Sequence, residues 1–169
     1  MTELLPVKPF QETLDAGMCG PAALKMVFEY YGLEKTEEEL AQLCGVTPDL
    51  GTTNEDMQGV AQGLGFEAEI YKNCTFDDIQ KWLDRKVPVI VDWFTPCRNT
   101  KDDSMMPDGH ASVVVGLDAE YIYILDSEIG RIRKIQRDDF MRVWFDFKGP
   151  RIISGDDIEL RHIIAVYKK

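Results

Sequence analysis

The stretch Cys19-Gly20-Pro21-Ala22-Ala23-Leu24-Lys25-Met26-Val27-Phe28-Glu29-Tyr30-Tyr31-Gly32 carries the strongest structural signal in the N-terminal half. Ala23, Met26, Val27 and Tyr30 recur at i, i+3, i+4 and i+7, the period of a helix over Ala22 to Tyr31. Leu24, Phe28 and Tyr31 make its other sides apolar too, so most of its circumference is expected to be packed. Pro21 suits a first helical turn, where its missing N–H is not needed. Gly32 supplies the C-terminal stop. The reading is a buried helix whose mouth is Cys19-Gly20-Pro21.

Working outward, Thr36 with Glu39 three residues on is a capping box for a second helix, which carries Leu40, Leu43 and Cys44 and stops at Gly45. A third opens near Thr52 to Asn54 and runs through Met57, Val60 and Leu64 to Gly65. A fourth follows Thr75, with Ile79, Trp82 and Leu83 on its apolar side. The first half therefore reads as mostly helical. From Val87 the period changes, and Val87 to Phe94 reads as a strand. A polar loop, Thr95 to Gly109, follows. Ala111 to Leu117 and Tyr121 to Leu125 are β-rich runs joined by the hairpin signal Asp118-Ala119-Glu120. Arg131 to Ile135 continues as a strand, Asp138 to Trp144 as a short helix, and Arg161 to Tyr167 as a closing strand. Helices first and antiparallel strands after indicate an α+β fold.

With 169 residues, 44% of them hydrophobic, the chain has material for one core. A domain of that size buries about 68–70% of its unfolded surface and folds without metal or disulfide. A single domain spanning residues 1–169 is the expectation. Thirty acidic residues against 19 basic ones give a net charge of -11. That balance argues against nucleic acid, whose phosphates demand a basic stripe, and against anionic membrane surfaces. The run Arg131 to Arg137 is interleaved with apolar residues and reads as a solvated strand face. The N-terminus lacks a basic start followed by a long apolar run, so no signal peptide is read, and no segment approaches the ~20 apolar residues of a membrane helix. The four cysteines (Cys19, Cys44, Cys74, Cys97) contain no CxxC pair, so a zinc-ribbon or thioredoxin motif is absent. A cytoplasmic location with free thiols is the expectation.

Two residues stand out chemically. Cys19 sits where unpaired N–H groups and the helix dipole favour a thiolate, the reactive form. Taken alone it reads more readily as a small packing residue before a core helix. The chain has only two histidines, so a thiolate–imidazolium pair must use His110 or His162. His162 lies in an alternating run (Leu160, His162, Ile164, Val166) and reads as a packed or edge-strand residue. His110 opens the first hairpin strand and Asp126 closes the second. A hairpin centred on Asp118 pairs 110 with 126, and paired residues share a face, as a carboxylate that orients an imidazole requires. Cys44 and Cys74 read as packing residues. Cys97 lies in the polar loop without a base beside it. The pairs Asp102-Asp103 and Asp156-Asp157 lack calcium-ligand spacing.

At these residues the sequence resembles a known family. Gln11 and Asp15 to Met26, running to Tyr30-Tyr31-Gly32, are similar to the nucleophile segment of the C39-like branch of papain-like cysteine peptidases. Asp108-Gly109-His110-Ala111-Ser112-Val113-Val114-Val115-Gly116 resembles that family's histidine strand. Ile122 to Asp126 resembles its acidic-residue strand, and Phe140 to Trp144 the helix that follows. The resemblance covers roughly residues 5 to 145. It implies a papain-like fold with a helical half, an antiparallel β half and a cleft between them. Cys19 would be the nucleophile, His110 the general base and acid, and Asp126 the residue that holds the ring. Gln11 would donate to the oxyanion with the Cys19 backbone N–H, a contribution of about 2.7–4 kcal/mol for such a donor. Ser127 stands where the family commonly has proline.

The expected activity is hydrolysis of an amide bond, most simply in a peptide or protein substrate, through an acyl-enzyme and without cofactor or metal. Acyl transfer to an amine is a variant of the same chemistry. The rival class is a binding module of the same fold that recognises a peptide or partner without turning it over. No phosphate-binding Gly-rich loop with Lys and Ser/Thr occurs in the chain.

Overall fold

A computed structural model describes residues 2–47, 51–95, 108–149 and 151–169. Cys97 and the Asp102-Asp103 pair lie outside the described residues. Helix α1 (Cys19–Tyr30) runs through the core, with Ala22, Ala23, Leu24, Met26, Val27 and Phe28 fully buried. Helices α2 (Glu37–Cys44) and α3 (Asn54–Gly63) follow, and α2 and α3 pack on each other and on α1. The predicted capping box at Thr36 is present, with Glu39 N–H donating to Thr36 Oγ1 at 3.1 Å, and Gly45 closes α2 in the left-handed region. Thr53 caps α3 with Asp56, and Thr75 caps α4 (Phe76–Asp84) with Asp78 in the same way.

The sheet has six antiparallel strands in the order β1-β8-β2-β3-β4-β5. Strands β2 (Val89–Thr95), β3 (Asp108–Leu117), β4 (Tyr121–Asp126), β5 (Arg131–Gln136) and β8 (Ile163–Tyr167) follow the predicted runs closely. The central strands are near-continuous apolar runs (Val89 to Val91, Val113 to Val115, Ile163 to Val166) because helices and loops cover both faces. Edge strand β5 carries exposed Arg131, Lys134 and Gln136, charge and polarity that discourage pairing with another chain.

Three strands were not expected. Strand β1 (Glu67–Tyr71) interrupts the helical half and forms the other edge, pairing with β8 from Glu67↔Tyr167 to Tyr71↔Ile163. Its two glutamates leave only Ala68 and Ile70 as apolar inward positions, too few for local periodicity to reveal it. Strands β6 (Phe145–Phe147) and β7 (Ile158–Leu160) make a separate two-stranded ribbon. Between β5 and β6, α5 (Arg137–Val143) buries Phe140 against the ring of Trp93.

In the β3–β4 ladder the pairs nearest the turn are Leu117↔Ile122 and Gly116↔Tyr123, and beyond a one-residue slip they are Val114↔Ile124 and Val113↔Leu125. The extra residue is Val115, whose carbonyl accepts the backbone N–H of Leu5 at 2.8 Å. The N-terminal segment thereby gives this carbonyl a hydrogen-bond partner.

Candidate active site

Helix α1 begins at Cys19, and its N-terminus differs from those of α2, α3 and α4. No side chain caps it and no acidic residue stands in its first turn, whereas each of the other three has a Thr capping box and acidic residues there. Its free N–H groups and positive dipole end are therefore open to a thiolate or a developing oxyanion at Cys19. Cys19 is partly exposed, whereas Cys44 and Cys74 are buried and burial pushes their thiols up to about 12 and about 11.

His110 stands on β3, only 6% exposed, beside the edge of the Trp93 ring across the β2–β3 ladder. Its Nε2 lies 2.7 Å from Asp126 Oδ1. The hairpin register is not the expected one. Continued from Val113↔Leu125, the ladder sets Asp126 opposite Ser112 rather than His110. The displacement is two residues, an even number, so Asp126 and His110 still share a face and meet diagonally. Burial opposes a charge on His110, but hydrogen bonds to Asp126 and to the Cys19 thiol outweigh it and hold the imidazole well above its ordinary pKa. With Nε2 engaged by Asp126, Nδ1 is the ring nitrogen left for Cys19.

Asp126 is buried, with its side chain wholly inaccessible. Oδ1 also accepts the Glu128 backbone N–H at 2.9 Å, and Oδ2 accepts Arg133 Nε at 2.5 Å. Burial pushes its carboxyl up, but the hydrogen bond and charge of His110, with Arg133, hold it below the usual carboxylate range. Arg133 corrects the reading of its strand as wholly solvated. In the β4–β5 register Arg131 is opposite Asp126 and Arg133 opposite Ile124, so Arg133 reaches Asp126 along one face. Partly buried Ile135 on that same face, two residues on, is the signal in the sequence that the face turns inward.

The Gln11 amide is engaged by the loop that follows Asp126. Both hydrogens of Nε2 are committed, to the carbonyls of Ser127 at 3.2 Å and Glu128 at 2.7 Å. The chain between Gln11 and Cys19 makes a turn in which Asp15 (φ 59°) and Gly17 (φ 67°) are left-handed. Ser127, fully buried, ties that segment down from the other side: its carbonyl accepts the Glu12 N–H at 2.9 Å and its hydroxyl donates to Glu12 Oε2 at 2.6 Å. Burial, partly offset by the Ser127 hydroxyl, raises the Glu12 carboxyl. These contacts join residues more than a hundred positions apart, so no local pattern announces them.

His162 is buried in the turn that precedes β8 rather than within a strand, and it takes no part in this cluster. A cleft of about 580 Å³, lined by Thr2, Gln80, Lys86 and Gly116, contains none of the four expected site residues. No helix among the described residues is long and apolar enough to cross a membrane.

The chain is 31% identical over 137 residues to the transport/processing ATP-binding protein ComA of Streptococcus pneumoniae, a match over 80% of this chain but 17% of that protein. It is 30% identical over 126 residues to an uncharacterized protein of Methanothermobacter thermautotrophicus, covering 75% of each. Among solved structures, the peptidase domain of Streptococcus ComA superposes with a TM-score of 0.69 at 21% identity, over 96% of this chain and 99% of that one. A double glycine motif protease from an AMS/PCAT transporter, solved with its leader peptide, gives 0.65 at 22% identity, over 100% and 99%. The fold is thus the α+β papain-like fold of C39 peptidase domains. Residues 5–151 match the Peptidase_C39 like family, and to that family this chain belongs.

Proposed function

We propose that this chain is a cysteine peptidase acting through Cys19, His110 and Asp126. The observation that carries the reading is the His110 imidazole, held by Asp126 at 2.7 Å on one nitrogen and facing the Cys19 thiol with the other. Deprotonated Cys19 Sγ attacks the carbonyl carbon of the scissile amide. The oxyanion forms beside the N-terminus of α1, which no side chain caps, and accepts from the Cys19 N–H. Protonated His110 delivers its Nδ1 proton to the leaving amine, the C–N bond breaks, and a thioester remains on Cys19. His110 then accepts a proton from the water that releases the acid.

Asp126, kept ionised by His110 and Arg133, sets the ring orientation and favours its protonated form. Gln11 joins the oxyanion site only by releasing the carbonyls of Ser127 and Glu128 that it now holds. The substrate is a peptide. The leader peptide bound by the double glycine motif protease makes a leader with paired glycines the first sequence to offer.

The test is site-resolved alkylation of Cys19 against pH, in the wild type and in His110→Ala, followed by cleavage of a double-glycine leader peptide by wild type and Cys19→Ala. Labelling near neutral pH that slows without His110, with cleavage lost in Cys19→Ala, is the expected result. Labelling no faster than an ordinary thiol of pKa about 8.5 and insensitive to His110 overturns it. Tight leader binding without cleavage in the wild type would favour a binding module.

A further inference from the structure

Beyond the candidate active site lies a second cluster of buried polar groups that the peptidase reading does not use. Asn54 opens α3, Asp92 lies in β2, Glu159 in β7 and His162 just before β8. Asp92, His162 and Asn54 are 6%, 4% and 3% exposed, and Glu159 is 9% exposed. One oxygen from each carboxylate and a ring nitrogen of His162 all lie within 4.8 Å of one another. The Asn54 amide is aimed into their midst, its Nδ2 2.5 Å from Asp92 Oδ2, 3.3 Å from His162 Nδ1 and 3.4 Å from Glu159 Oε2.

The electrostatics of this cluster do not close. Two amide hydrogens face two carboxylate oxygens and a ring nitrogen, and Asn54 Oδ1 is buried with no hydrogen-bond partner. Lys148 stands 3.6 Å from Glu159 Oε1 and also serves Glu55 at 3.7 Å. Asp146, in β6, adds a further carboxylate that acts on Asp92. Buried carboxylates are normally paired, protonated or metal-bound. An imidazole beside two carboxylates and an orphaned amide oxygen is a donor set for a metal.

We propose that Asp92, Glu159, His162 and Asn54 form a binding site for a divalent cation of the manganese type. Three oxygen donors against one nitrogen favour Mn²⁺ over the softer ions that prefer imidazole and thiolate. Binding turns the Asn54 amide so that Oδ1 faces the ion, which gives the orphaned oxygen its partner. The donor atoms then draw together by a few tenths of an ångström each, to the spacing that metal–ligand bonds of about 2.1 Å impose. Access exists: a cleft of about 130 Å³ lined by Lys72, Lys148 and Asp156 opens onto Glu159 and His162. The ion would pin the start of α3 to β2, β7 and β8. Asp146 stands at the rim, its carboxylate packed so tightly on Gly109, next to His110, that a Cβ there would meet it at 1.9 Å.

The experiment uses the full chain carrying Cys19→Ser, so that no thiolate competes for metal. Mn²⁺ is titrated with loss of the free-ion EPR signal as the readout, and thermal unfolding is followed with and without about 1 mM Mn²⁺. One ion per chain and a raised Tm are expected. Asp92→Asn and Glu159→Gln should each weaken binding at least about tenfold. Asp92→Asn removes a buried carboxylate, so its metal-free Tm should not fall; Glu159→Gln gives the same reading should Asp92→Asn not fold. Asp126→Asn, at the other cluster of His and carboxylates, should bind Mn²⁺ like its parent. Failure of the parent to retain Mn²⁺ overturns the proposal, as does binding unaffected by both cluster variants or abolished by Asp126→Asn.

Discussion

Replacing Asp126 by Asn keeps the side chain's shape and removes its charge. In the wild type, Oδ1 faces two donors, His110 Nε2 and the Glu128 N–H, and Oδ2 faces a third, Arg133 Nε. An asparagine amide offers one acceptor oxygen and one donor nitrogen, so in either orientation an N–H is set against an N–H. Breaking a buried ion pair from one side costs about 3–5 kcal/mol. Arg133, 35% exposed, can turn to water and recover part of that, which leaves about 2–3 kcal/mol. For a chain of this length that is a loss of about 4–12 °C in Tm.

The pH dependence fixes the sign. His110 is held above its ordinary value, so its contribution is complete below about pH 6.5 and is lost as pH rises through the folded value. Asp126 is held below its ordinary value, so its contribution is present above about pH 3.9 and is lost as pH falls through the folded value. The stability gap between wild type and Asp126→Asn should be widest between about pH 4 and 6.5. At higher pH it should narrow toward the share carried by Arg133 and the Glu128 N–H. Urea unfolding of both proteins from pH 5 to 9 measures this directly. A gap under about 1 kcal/mol at pH 6, or one that widens toward pH 9, would refute the reasoning.

Gly109→Ala sets a Cβ 1.9 Å from Asp146 Oδ1, and the forced displacement should cost about 1–3 kcal/mol in urea unfolding. Gly20→Ala gains helix propensity of up to about 1 kcal/mol, yet its Cβ would meet Thr52 Cβ at 2.9 Å and Met57 Sδ at 3.3 Å; a net loss of stability by the same assay is expected. Thr36→Ala removes the α2 capping box and should destabilise the fold by about 1 kcal/mol. In iodoacetamide labelling at pH 8 resolved by peptide mapping, Cys44 and Cys74, buried and with raised thiols, should react at least about tenfold more slowly than Cys19.

The elements that were legible in the sequence are those whose signals are local. The α2 box rests on Thr36, Glu39 and Gly45, and the central strands rest on unbroken Val and Ile runs. Cys19 could be placed at a helix mouth because Pro21 and Gly32 bracket the helix. Strand β1 was hidden because its pairing energy comes from β8, about a hundred residues away, and not from its own two apolar side chains. Arg133 was only half legible: Ile135 marks its face as turned inward, but what makes it part of the cluster is Asp126 on the neighbouring strand. Gln11 shows the converse. Its place in a motif was legible, but the direction of its amide is set by two carbonyls in the loop after Asp126.

The slip at Val115 has a consequence for how this hairpin can change length. Had the ladder run on unbroken from Leu117↔Ile122, Asp126 would fall opposite Val113, out of phase with His110 and on the far side of the sheet. The extra residue shifts the strand by half a pleat period and brings the carboxylate back beneath the imidazole. Turn and bulge therefore act as a matched pair of phase shifts. Inserting one residue into the turn would swing Asp126 away unless the bulge healed at the same time. A two-residue insertion would preserve parity, so length variation between His110 and Asp126 should come in even steps.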